Sequence, residues 1–125
     1  MDAKRDADQD RHGEVLDRDA ILAQVGGDEE LLRDLAQTFL DDCTPLLDQI
    51  RNAVTSGDLN RLARSAHNLK GSVSNFSRQA TFEAALRLEQ MGRTGDAAES
   101  AEALRDLEHA LEQLRPALAR LARPA

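Results

Sequence analysis

Apolar residues recur along this chain at steps of three and four, and the runs are separated by short clusters of Gly, Asp and Ser. Such spacing collects side chains on one face of a helix with 3.6 residues per turn. The longest run carries Leu31, Leu32, Leu35, Phe39, Cys43, Leu46, Leu47, Ile50 and Val54. Asp28 is the expected N-cap of that helix, and Ser56-Gly57-Asp58 is its expected stop, with Gly past the end and Asp opening the next helix. A second long helix is predicted over about 59–75, with Leu59, Leu62, Ala66, Leu69 and Val73 on one stripe. A third is predicted over about 78–92 on Phe82, Ala85, Leu86, Leu88 and Met91, ending at the Thr94-Gly95-Asp96 turn. The last run repeats Leu104, Leu107, Leu111, Leu114, Leu118 and Leu121, a seam of the kind found in bundles.

A shorter helix is expected near Asp19, with Asp19 as cap and Ile21, Leu22 and Val25 as its apolar side, before Gly26-Gly27 stops it. Pro45 removes an N–H and costs a helix interior ~3 kcal/mol, so a bend or brief break is expected over 42–44. Pro116 is a second place for a bend. Residues 1–16 hold mostly alternating charges and are expected to form a flexible polar tail ahead of a domain spanning 17–123. No Val/Ile-rich stretch alternates apolar and polar positions, so strands are not expected. The pattern predicts an all-α protein: an antiparallel up-down-up-down four-helix bundle with a short N-terminal capping helix.

Composition narrows the function. With 125 residues and 13.7 kDa the folded chain would expose ~6,600 Å² against ~20,000 Å² unfolded, enough for one core. Enzymes that need separate nucleotide and catalytic domains are excluded. The 16 basic and 23 acidic residues give a net charge of −7, and Trp and Tyr are absent, which argues against a nucleic-acid groove. Cys43 is the single cysteine, so an internal disulfide and a multi-cysteine zinc site are both impossible. No stretch approaches ~18 consecutive apolar residues. A cytoplasmic protein, or a cytoplasmic piece of something larger, is the expectation.

No phosphate-binding glycine loop occurs, and His12, His67 and His109 have no HExxH or CxxC companions. No cofactor or metal of its own is therefore expected. On a helical wheel His109 points toward solvent. His67 lies ~115° from the apolar stripe of its helix, so its imidazole should emerge at the edge of the bundle. Lys70 and Gly71 follow at i+3 and i+4 on the same face, and Ser74 lies a further turn along. Glycine inside a helix costs ~1 kcal/mol relative to alanine, and here it would open space for close approach to an imidazole nitrogen. Lys70 adds a point charge suited to a phosphoryl group. Between Arg61 and Arg93 six cations face two anions, a local +4 in an acidic chain, which would attract an acidic partner. The same spacing also fits an ordinary half-buried bundle histidine beside a solvated lysine.

The run Ser65-Ala66-His67-Asn68-Leu69-Lys70-Gly71-Ser72 resembles the signature of histidine-containing phosphotransfer (HPt) domains of two-component phosphorelays. Gly26-Gly27-Asp28-Glu29, Ser56-Gly57-Asp58 and the closing Leu-rich helix are also similar to that family, so the resemblance covers roughly 17–121. It implies a four-helix bundle in which His67 is the phospho-acceptor, Lys70 steadies the phosphoryl group and Gly71 keeps the approach open. Asn75 and Phe76 match the stretch after the histidine helix, whereas Ser77 and Arg78 depart from a common Gly-Ala. Many members carry a glutamine on the following helix near the histidine. Glu89 and Gln90 fall in that neighbourhood without a register to separate them. Gln90 is the candidate, since a glutamate would oppose a phosphoryl group.

The resemblance further implies that neutral His67 shuttles a phosphoryl group between aspartates of response-regulator receiver domains, in a relay fed by a hybrid sensor histidine kinase. Mg²⁺ would belong to the receiver. The protein would then be a carrier without kinase activity, acting as a monomer, with no nucleic-acid or membrane partner. Exposed apolar side chains around His67 are expected to dock the partner, with Arg64, Asn68, Ser74, Arg78 and Gln90 as partner-binding residues. The competing reading is an HPt-like module that docks on a kinase or receiver without being phosphorylated.

Overall fold

A computed structural model describes residues 16–123, and every regular element among them is helical. Of the polar tail expected over residues 1–16, residues 1–15, with His12, lie outside the described residues. Leu16, placed in that tail by sequence, packs against the core.

Helix α1 spans Arg18–Gln24. Its N-cap is Asp17 rather than Asp19: Asp17 takes an extended backbone and its carboxylate accepts the amide of Ala20 at 3.1 Å, leaving Asp19 in the first turn beside the positive end of the dipole. Gly26 and Gly27 then adopt left-handed φ of 68° and 78° and end the helix. Helix α2 spans Glu29–Ser56, capped by Asp28 onto Leu31 and terminated by left-handed Gly57. Two residues later α3, Leu59–Val73, starts from Asp58, whose carboxylate accepts the Arg61 amide at 3.1 Å. Helix α4 spans Ala80–Thr94 and α5 spans Ser100–Ala122. The expected ends at 75 and 78 therefore draw back to 73 and 80, because Phe76 and Ser77 are buried in the connection. Phe76 packs edge-on against Phe39 of α2, with ring centroids 5.8 Å apart.

Neither proline interrupts its helix. Pro45 and Pro116 lie on the solvent side, and so do Asp41 and Glu112, whose carbonyls lose their amide partners. Water can satisfy those carbonyls. Meanwhile Phe39, Cys43, Leu47 and Ile50 stay in the core on the opposite face of α2, so packing overrides the local cost of Pro45.

Each long helix packs on the next, and α2 also packs on α5, which closes the four into an antiparallel bundle with α1 against α2. The core is the stripe of each helix: Leu32, Phe39, Ile50, Leu62, Leu69, Leu88, Leu107, Leu111 and Leu114 are among its buried members. Burial of such side chains contributes about 1.5–3 kcal/mol each relative to exposure. Across the surface Arg51 ties α2 to Glu108 of α5 at 2.7 Å, and Arg87 ties α4 to Glu99.

Candidate functional site

Helix α3 is held between α2 and α4, and its buried stripe fixes which residues face outward. Ser65, beside that stripe, is buried and donates to Gln49 of α2 at 3.1 Å. On the α4 side the contact is closer still. A Cβ built on Gly92 would lie 2.6 Å from the Ala63 amide nitrogen and 2.7 Å from the Leu59 carbonyl oxygen. Only a glycine admits this backbone approach, and it brings Glu89, one turn before Gly92, against the histidine face of α3.

His67 emerges at the bundle edge as its wheel position predicts, with its side chain 55% exposed. Its Nδ1 lies 3.0 Å from Oε2 of Glu89, whose own side chain is only 5% exposed. The same oxygen accepts from Nε and Nη2 of Arg93 at 3.0 and 2.6 Å. Nζ of Lys70 forms an ion pair with Oε1 at 2.7 Å. Burial pushes the Glu89 carboxyl upward more strongly than any single neighbour pulls it down. Together Lys70, Arg93 and His67 outweigh burial and hold it down to about 2. Glu89 is therefore a carboxylate at neutral pH and can only accept hydrogen bonds. It follows that Nδ1 carries the ring hydrogen and Nε2 keeps the lone pair. The arrangement selects one tautomer of neutral imidazole and presents Nε2 as a nucleophile, as a carboxylate does for the histidine of a catalytic triad.

Gly71 is exposed, and a Cβ built there would meet nothing within 4 Å. No internal contact requires this glycine, so its effect is to leave the surface beside His67 low. An open groove of about 810 Å³ runs along α3, lined by Gln49, Asn60, Arg61, Ala63, Arg64, Ser65, His67, Asn68, Gly92 and Arg93.

The site residues named from sequence separate accordingly. Arg64 and Asn68 share the groove with His67, while Lys70 meets it through Glu89. Lys70 is 21% exposed and tied to that carboxylate, not a free point charge. Ser74 ends α3 with its hydroxyl donating to the Gly71 carbonyl at 2.7 Å. Arg78 lies with its guanidinium 5.4 Å from the Phe82 ring centroid. Gln90 is exposed, and Glu89 takes the contact with the imidazole in its place. The local +4 also divides, because Arg87 turns to Glu99, Glu102 and Asp106 on the α5 side. No large apolar side chain lines the groove; Leu31, at the start of α2, is the exposed large hydrophobic among the described residues. The outward positions of α3 carry Arg, Asn and Ser, so this face is polar where an apolar docking surface was expected. His109 is exposed, as expected. Among the described residues no group of three His, Cys, Asp or Glu is placed to hold a metal ion, and no helix is long and apolar enough to cross a membrane.

The bundle has a counterpart among solved structures. The histidine-containing phosphotransfer protein B (HptB) of Pseudomonas aeruginosa PAO1 superposes with a TM-score of 0.76 at 23% identity, over 84% of this chain and 91% of that one. At that identity the likeness establishes the fold. The Hpt domain family itself matches residues 34–117. The chain belongs to the Hpt domain family, the histidine phosphotransfer carriers of two-component signalling, which interact with response regulators and kinases. None of the functionally curated proteins matches the sequence significantly.

Proposed function

We propose that this protein carries a phosphoryl group on Nε2 of His67 between aspartates of response-regulator receiver domains. The observation that carries the reading is the Nδ1 contact with buried, ionised Glu89, which leaves Nε2 as the nucleophilic nitrogen of an exposed ring. In the forward step the Nε2 lone pair attacks phosphorus of an aspartyl phosphate. The P–O bond to the aspartate breaks, and its electrons leave with the restored carboxylate. The ring gains positive charge, and the Nδ1–H bond to Glu89 stabilises it. The reverse sequence on a second receiver returns the ring to neutrality.

Gly71 gives the partner's phosphoryl group room to approach. Lys70 and the arginines of the groove offer positive charge to it and to the acidic pocket around it. Mg²⁺ would be supplied by the receiver, and no nucleotide is needed on this chain. Arg64 and Asn68 would form the partner contact nearest His67, with Ser74, Arg78 and Gln90 farther along the rim. The protein would act in the cytoplasm as a monomer, and a hybrid sensor histidine kinase would feed the relay.

The test is transfer from a panel of phosphorylated receiver domains to this protein, with binding measured in parallel. Rapid Mg²⁺-dependent transfer from at least one receiver is expected. Tight binding with no transfer would leave the docking module as the better account.

A further inference from the structure

A glutamate beside a histidine that accepts a phosphoryl group poses an electrostatic problem. Its negative charge favours the ring, which becomes cationic when Nε2 bonds to phosphorus. The same charge opposes the incoming phosphoryl group, which carries about two negative charges at neutral pH. A neutral amide at this position would avoid the conflict. Here the side chain is a carboxylate, and α4 supplies a second feature that bears on it.

Arg93 follows Glu89 by four residues, and both its Nε and Nη2 donate to Oε2, the oxygen that also accepts from His67. Lys70 covers Oε1 from α3. One anion is thus held between two cations. The Arg93 side chain is 60% exposed and also lines the groove along α3, so it keeps charge on the side from which a phosphoryl donor arrives.

We infer that Arg93 is a positioning residue for phosphoryl transfer: by sharing Oε2 with the imidazole it offsets the charge of Glu89 toward the phosphoryl group while fixing the carboxylate that orients His67. This rests on the phospho-acceptor role proposed for His67. The transfer step is unchanged by it. Phosphorus bonds to Nε2, the donor's bond to phosphorus breaks with its electrons leaving on the donor, and the Nδ1 hydrogen stays on the ring facing Glu89.

An i,i+4 ion pair that merely steadied α4 would change stability rather than the rate at which His67 accepts phosphate. A positioning role makes Arg93 matter because residue 89 is charged, so its effect should vanish when that charge is removed. The experiment uses the whole protein and phosphoramidate, a small donor whose P–N bond breaks as the bond to Nε2 forms and whose amine leaves as ammonia after taking a proton from water. Acquisition of phosphate at His67 is followed by ³¹P NMR in wild type, Arg93→Gln, Arg93→Lys, Glu89→Gln and the Glu89→Gln/Arg93→Gln double variant, with far-UV circular dichroism as the fold control.

Arg93→Gln should slow acceptance about fivefold, the coupling expected of charges in direct contact, and Arg93→Lys should recover most of the loss. In the Glu89→Gln background the further loss on Arg93→Gln should shrink to less than about twofold. An Arg93→Gln rate equal to wild type, or an equal loss in both backgrounds, would overturn the inference while leaving the phospho-acceptor role of His67 intact. Absence of phosphate at His67 in the wild type would overturn both.

Discussion

At the scale of single residues, the behaviour of His67 is set by a neighbour whose chemistry sequence reasoning weighs against it. Glu89 is 4% exposed and yet ionised, because two cations and an imidazole N–H surround it. Its carboxyl sits at about 2 in the fold against 4.5 as a free group. A depressed folded value means that Glu89 contributes stability fully above its unfolded value. That contribution fades as pH falls from about 4.5 toward 2, since the unfolded chain takes up the proton first. Urea midpoints followed from pH 7 to pH 2.5 should show this loss, and Glu89→Gln should flatten the slope in that window. Lys70→Ala should cost about 1–3 kcal/mol of stability by uncovering a buried carboxylate oxygen. It should also slow transfer or shorten phosphohistidine lifetime about tenfold, the worth of one charge-assisted hydrogen bond. Unfolding curves and the decay of labelled protein measure the two separately.

At the scale of elements, two glycines on neighbouring helices do opposite things. Gly71 of α3 meets open space, so Gly71→Ala should raise stability by up to about 1 kcal/mol through helix propensity alone. If Gly71 keeps the approach open, the same variant accepts phosphate from a receiver more slowly although it is more stable, and thermal melts beside transfer rates will show whether the two part company. Gly92 of α4 meets backbone at 2.6 Å, so Gly92→Ala must push α4 off α3. A loss of about 1–3 kcal/mol is expected by denaturant titration, with a weakened Glu89 to His67 contact visible in the imidazole ¹⁵N shifts.

This is also the scale at which legibility divides. The caps at Asp28 and Asp58, the stop at Gly57 and the leucine seam of α5 are local signals, and the periodicity of apolar residues reads them directly. The inward face of α4 is different: Thr81, Ala85, Leu88, Glu89 and Gly92 are buried while Phe82, Leu86 and Met91 are only half-buried. Hydrophobicity finds Ala85 and Leu88 at the centre of that inward face but not Glu89 and Gly92, which serve the charge network and the close approach to α3. The i,i+4 spacing of Glu89 and Arg93 is the one sequence signal that this network offers. The prolines mislead for a related reason, since their cost depends on whether the freed carbonyl faces water, which spacing alone does not report.

At the scale of the whole molecule, the fold class and the outward position of His67 follow from the pattern of apolar residues, and the Hpt match over residues 34–117 agrees with the fold class. The polarity of the face around His67 does not follow, because the expectation of an apolar docking surface takes no account of which stripe residues the neighbouring helices cover. With Arg61, Arg64 and Arg93 along the groove on a chain of net charge −7, association with an acidic partner should be driven by local charge. Its association rate should fall steeply as salt rises from 0.05 to about 0.5 M, where screening shortens to a few ångströms. Stopped-flow association over that range tests it, and a flat profile would point to apolar docking instead.

The most direct test of phosphotransfer through His67 is site-resolved labelling. A phosphorylated receiver domain is mixed with the wild-type protein or with His67→Gln, and acid-labile, alkali-stable phosphate is located by mass spectrometry. The account predicts label at His67 in the wild type and none on the variant, whose helical circular dichroism is unchanged. Label on the variant, or on another residue of the wild type, would contradict it.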